Sequence, residues 1–177
     1  MASDNFLIFP TPASGTRYGK IQPIGESQDR THIGAIEIQA FAFGVETPVT
    51  ISSVSGGAGA GKAKFNELDI TKGVDSASTA LFEAATQGVY FPQVLLKIRR
   101  SGASDTTQPD YLIYDFRMVF VSKVAWTGGG GVDAPEEVVT LVYGALGVSY
   151  AQRNANGSLG TPKTATWSQI TNSPRLP

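Results

Sequence analysis

Apolar and polar positions alternate with a period of two over most of the chain, the pattern of half-buried strands. Asn5–Phe9 predicts a short strand that ends where Pro10, Pro12 and Gly15 stop regular structure. After the polar turn Gly25–His32 a long strand is predicted over 33–46. Ile36, Ile38, Ala40 and Ala42 occupy one of its faces, and Glu37, Gln39, Phe41 and Phe43 the other. Apolar groups on both faces lead us to expect a neighbouring subunit over one of them. Val49–Val54 and Lys64–Thr71 read as a hairpin around a glycine-rich tip, and Asp110–Trp126 as a very long strand broken by Gly128–Gly131. There Leu112, Tyr114, Phe116, Met118 and Phe120 share one face, and Tyr111, Ile113, Val119 and Val121 the other. Glu136–Tyr150 is the last predicted strand and is expected to close the sheet. From Gln152 onward the tail is polar, Trp167 being its only aromatic anchor, so only partial order is expected there.

One stretch has helical character. Thr79–Gln87 is rich in Ala, Leu and Glu, with Asp75, Ser76 and Ser78 as candidate N-caps and Gly88 as the stop. Leu81, Ala84 and Ala85, with Phe82 beside them, make one apolar stripe, which must lie on a sheet. The strand that follows offers a surface: Val94, Leu96 and Ile98 alternate with Leu95, Lys97 and Arg99. The fold class is therefore mainly β, an antiparallel β-sandwich or flattened β-barrel with one flanking helix. It is expected to form a single domain over 1–177.

Composition narrows the partners. The 177 residues are 41% hydrophobic and 16% charged, enough to bury a core, and the formal net charge of −1 provides no positive field for nucleic acid or an anionic membrane. With no cysteine there is no disulfide, thiolate metal site or cysteine nucleophile. The N-terminal stretch has no basic region and a short apolar run only, so neither a signal peptide nor a membrane-spanning segment is expected in it.

Candidate chemistry is sparse. Gly56–Ala63, GGAGAGKA, matches the phosphate-loop spacing GxxxxGK, but Ala63 stands where a hydroxyl should reach magnesium. The residues after Lys62 also alternate like a strand where that motif needs a helix N-terminus. His32 is the only histidine and lies near Asp29, as a turn-stabilising partner would. Asp69, Asp75, Glu136 and Glu137 sit at element boundaries, where capping and solvation account for them. Lys97, Arg99 and Arg100 form a basic stripe expected to be solvated or to bridge subunits. No catalytic set, cofactor site or metal site is expected.

Several stretches in fixed order resemble the haemolysin-coregulated protein (Hcp) family of type VI secretion systems: GESQDRTH, the strand with FAFG, the tip ending GAGK, TKGVDSAS with LFEAATQG, YFPQVLLKIRRSG, YLIY, VFVSKV, the GGGG break and EEVVTLVYGALGVSY. They cover about 21–150; the segment TPASGTRYGK ahead of the GES motif and the tail depart from the pattern. The resemblance implies a phage tail-tube-like protomer. Six such protomers form a ring, and the rings stack into a hollow tube that a contractile sheath drives out, with a tip spike protein ahead and small effectors inside. It implies a structural protein rather than an enzyme, cytoplasmic when assembled and then secreted without a signal peptide. It assigns ring stacking to Gly56, Gly57, Ala58, Gly59, Ala60, Gly61 and Lys62, and lumen-side positions to Ala42, Gly129 and Gly130. The rival readings are a monomeric β-sandwich binding module and a phosphate-loop nucleotide binder.

Overall fold

The computed structural model describes residues 3–51, 58–100, 109–129, 134–154 and 157–177. Its elements are β1 (Ser3–Ile8), β2 (Ile36–Glu37), β3 (Ala40–Ala42), β4 (Val45–Glu46), β5 (Val49–Ile51), β6 (Ala58–Ala60), β7 (Lys64–Phe65), β8 (Leu68–Gly73), α1 (Ala77–Gln87), β9 (Tyr90–Arg100), β10 (Leu112–Thr127), β11 (Glu136–Tyr150) and β12 (Lys163–Ser168). The main sheet is antiparallel in the order β2-β1-β9-β10-β11-β8-β3, with β12 also paired to β11. The fold is thus mainly β with one helix.

The predicted long strand over 33–46 is broken into three short pieces, and the break closes the sheet. β2 pairs with β1 at one end of the strand order and β3 with β8 at the other. Only Ile38 and Gln39 lie between them: the Ile38 amide donates to the Asn5 carbonyl at 3.1 Å and the Gln39 amide to the Thr71 carbonyl at 2.8 Å. One segment therefore holds both edges, as a flattened barrel requires. Its burial changes phase at this crossing. Ile36 and Ile38 are buried, but Ala40 and Ala42 are exposed while Phe41 and Phe43 turn toward the core. β11, expected to close the sheet, is instead its branch point: Glu136–Leu141 pairs with β8 and Ala145–Tyr150 with β12.

β10 also changes phase. Phe116 is buried and so are Val119 and Val121, because Met118 adopts a left-handed backbone (φ 52°) and drops out of the register with Gly144. Phe116 thereby stays on the core side with Tyr143, ring centroids 4.8 Å apart, and the row continues to Phe43 at 5.3 Å and Phe65 at 5.4 Å. Met118 and Phe120 are left outside. The tail, expected to be loosely held, forms β12 and a return in which the Ser168 and Ser173 backbones bond each other at 2.9 and 3.2 Å.

Helix α1 begins at Ala77, two residues before the predicted start, and packs across β10 through Leu81 and Ala84. Ser76 is its N-cap residue but makes no side-chain cap bond. Asp75 Oδ1 accepts from the Ala77 amide at 3.0 Å, and Glu26 of the GES turn accepts from the Ser76 amide at 2.9 Å. Gly88 ends the helix in the left-handed region, as its lack of a Cβ allows.

Candidate assembly site

The hairpin around the glycine-rich tip is built differently from the expected pairing of Val49–Val54 with Lys64–Thr71. At its base β4 pairs with β7; beyond them β5 pairs with β6; β8 leaves to join the main sheet. The Gly61 amide donates to the Pro48 carbonyl at 2.8 Å and the Asn66 amide to the Gly44 carbonyl at 2.8 Å, which carries the ladder through both irregular joints. Of the stacking candidates, Ala58, Gly59 and Ala60 are therefore strand, Gly61 and Lys62 connect strands, and Gly56 and Gly57 lie outside the described residues. No helix follows Lys62, so the phosphate-loop reading lacks the N-terminal amides that would hold a phosphate.

Among the described residues this ribbon is two-stranded throughout, with Val45 51% and Val49 60% exposed. An isolated two-stranded ribbon is marginal in water. Between it and the sheet lies a cleft of about 770 Å³, walled by Phe65 and Lys62 of the ribbon and by Leu146, Val148, Ala165 and Trp167 of β11 and β12. Thr47, Thr166 and Asn172 add polar groups to a mainly apolar lining, and the Trp167 indole Nε1 is buried behind it without an acceptor.

Of the lumen candidates, Ala42 ends β3 opposite Asp69 and is exposed. Gly129 is exposed beyond β10 and shares a cleft with Gln39 and Gly73. Gly130 lies outside the described residues.

The charged groups do structural work that the sequence reading partly misplaced. His32 is buried, stacked on Phe6 at 4.3 Å, with Nδ1 3.2 Å from Asp29 and Nε2 3.0 Å from Asp110. Arg99, expected in a solvated stripe, is buried and donates to Asp29 at 2.6 Å and Asp4 at 3.0 Å; Lys97 reaches Asp110 at 3.4 Å. Two of the three stripe residues are thus paired within the subunit, while Arg100 is exposed and lies over the Tyr111 ring at 5.5 Å. The Arg99 guanidinium beside Asp29 holds its carboxyl well below the usual carboxylate range. Burial pushes the Tyr143 phenol up to about 12.

Lys72 and Glu137, the latter assigned above to capping and solvation, form a fully buried ion pair at 2.7 Å. Ser78 donates to the same Glu137 oxygen at 2.6 Å. Sequence reasoning overlooked the pair although the signal was there. Lys72 continues the inward phase of Leu68 and Ile70, Glu137 that of Val139 and Leu141, and the two stand opposite each other in register. Among the described residues no group of three or more His, Cys, Asp or Glu could hold a metal ion.

The family profile described as "Type VI secretion system effector, Hcp" matches residues 16–150. The chain belongs to the Hcp family of type VI secretion proteins. Protein hcp1 of Pseudomonas aeruginosa is 35% identical over 144 residues, 81% of this chain and 87% of that relative. A solved type six secretion system protein superposes with a TM-score of 0.84 at 32% identity, over 97% of this chain and 99% of the other. Hcp1 from Salmonella typhimurium does so at 0.71 and 26% identity, over 97% and 98%. The Hcp match begins at residue 16, within the segment that departs from the motif pattern, and the structural likeness extends over the tail.

Proposed function

We propose that this Hcp chain is a structural subunit of the secretion tube, without catalytic activity, and that it forms six-membered rings which stack into the exported inner tube. The observation that carries this is the ribbon β4–β7 and β5–β6 standing over an apolar cleft: a two-stranded ribbon with exposed valines gains stability by packing on another copy. In this reading Gly56–Lys62 touches the next ring, and Ala42, Gly129 and Gly130 face the lumen, where small effectors ride. The contractile sheath surrounds the tube and a spike protein caps it. The subunit assembles in the cytoplasm and leaves with the tube. Light scattering and negative-stain microscopy of one chromatographic peak test the ring, for which a mass near six subunits and a central hole are expected. Deleting 52–60 should abolish tubes and leave rings. A monomer at high concentration would favour a solitary β-sandwich module instead.

A further inference from the structure

The backbone of β12 shows which of its amides face away from the sheet. Ser168 donates to the Ser173 carbonyl at 2.9 Å and accepts from the Ser173 amide at 3.2 Å, both on the side away from β11. The next amide, that of Gln169, points the other way, to the Gly144 carbonyl of β11 at 3.1 Å. Backbone direction alternates along an antiparallel strand. Thr164, Thr166 and Ser168 therefore carry the outward amides of β12, while Lys163, Ala165 and Trp167 turn theirs toward β11. An outward row of this kind at the margin of a sheet is a template for another strand.

The chain covers part of that row itself. It turns back through 169–172, with Asn172 in the left-handed backbone region (φ 49°) that suits a tight return, and lays Ser173 beside Ser168. Thr166 Oγ1 donates to the Pro174 carbonyl at 2.9 Å. Contacts with β11 hold the return in place. Gln169 Nε2 donates to the Tyr143 carbonyl at 2.7 Å, Ile170 lies against Gly144 where a Cβ would stand, and Leu176 Cδ1 comes within 3.2 Å of the same position at Gly147. Pro174 has no amide and Pro177 follows three residues on, so the return presents a broken row of donors in its turn. At the start of β12, which the return does not reach, Pro162 precedes the strand and Lys163 adds an exposed charge. We propose that residues 169–176 are an edge cover, which occupies the outward side of β12 and so keeps copies of this chain from adding to one another strand by strand. The device acts against open-ended association and is independent of whether rings form.

The test uses the full chain. Ser173→Pro removes the amide that donates to Ser168 and pushes Asn172 toward extended backbone, which opens the return without altering β12. Light scattering should then grow faster than in wild type by about fivefold or more, with a rise in the infrared signal of intermolecular β-sheet. Comparison with wild type removes ring assembly, which both chains share. Adding Thr166→Pro takes away an outward amide and no bond to β11, so growth should return to within about twofold of the wild-type rate. Hydrogen exchange on the wild-type chain gives a reading that needs no variant to fold: the covered Ser168 amide should exchange at least about tenfold more slowly than the Thr164 amide, which lies beyond the return. Growth no faster than wild type in Ser173→Pro, growth that Thr166→Pro does not suppress, or equal exchange at Ser168 and Thr164 would each overturn the edge cover.

Discussion

Replacing Lys72 tests whether the buried charge cluster holds the helix to the barrel. Its ammonium lies 2.7 Å from Glu137, 2.7 Å from Asp75, 3.0 Å from Ser78 Oγ and 2.9 Å from the Gly73 carbonyl, and no part of the side chain reaches solvent. Lys72→Met removes the single cation and leaves two carboxylates facing each other. Glu137 is then fully buried, and its Oε1 has no partner even in the native protein. Breaking a buried pair in this way costs about 3–5 kcal/mol. For a domain of this length each kcal/mol lowers Tm by about 2–4 °C, so the expected fall is about 6–20 °C. Glu137→Gln leaves Lys72 neutralised by Asp75 and should cost less, about 1–3 kcal/mol. The double change Lys72→Met with Glu137→Gln should cost clearly less than the two single changes added, since the buried charge that Lys72→Met strands on Glu137 is then absent. Urea unfolding followed by tryptophan fluorescence measures all of this, at a concentration where sedimentation shows one species throughout, because assembly adds its own stability. If Lys72→Met lies within about 1 kcal/mol of wild type, or the costs simply add, the cluster does not hold the helix.

Three further outcomes are expected. Tyr143→Phe should be neutral or stabilising by up to about 1 kcal/mol in the same unfolding assay, because the Tyr143 hydroxyl is buried without a partner; in wild type its ultraviolet titration should come late, near pH 12. Gly25→Ala should destabilise by about 1–3 kcal/mol, since a Cβ there collides with the Ala35 carbonyl and comes within 2.6 Å of Ile36 Cα, whereas Gly59→Ala meets nothing within 4 Å and should not. Asp29→Asn should flatten the acid limb of stability. A carboxyl depressed in the folded state contributes fully above its unfolded value of about 4 and loses that contribution as pH falls toward the folded value, so urea midpoints between about pH 5 and pH 2 should drop less in the variant than in wild type.

The sequence was most legible where one physical signal acted alone. Gly88 closes the helix and Val94, Leu96 and Ile98 face the core because period and stop residue leave no competing arrangement. Long strands were over-read because period two persists through a bend. Ile36 to Phe43 alternates smoothly in letters, yet the chain crosses there from one sheet edge to the other and the buried phase shifts by one. The same holds at Met118, a residue with no intrinsic preference for left-handed backbone and so no local signal. The ribbon was misregistered because glycine and alanine in Ala58–Ala60 carry no alternation to read. Arg99 was misplaced because its partners are distant in sequence: a basic residue after a buried strand looks solvated until the Asp29 turn folds over it.

Closure of the barrel by the segment around Ile38 also limits how copies can associate. An open sheet would offer two full strand edges, and edge pairing would then be the cheapest route to assembly. Here both ends of the strand order are held by the same chain segment, and near Ser168 the outer side of β12 is met by the returning residues around Ser173. Among the described residues the strand edges left with a partner on one side only are short: those of the ribbon strands, the start of β12, β3 and the end of β10 beyond Phe120. Association through the body of the subunit then draws more on side-chain surfaces than on long edges, and such surfaces demand shape fit and can enforce a fixed rotation between neighbours. Edge pairing left to the ribbon alone would act only where it reaches another copy. In the reading proposed above, a tube built this way would separate into rings when the ribbon tip is cut, because the side-chain surfaces of the subunit body are left in place.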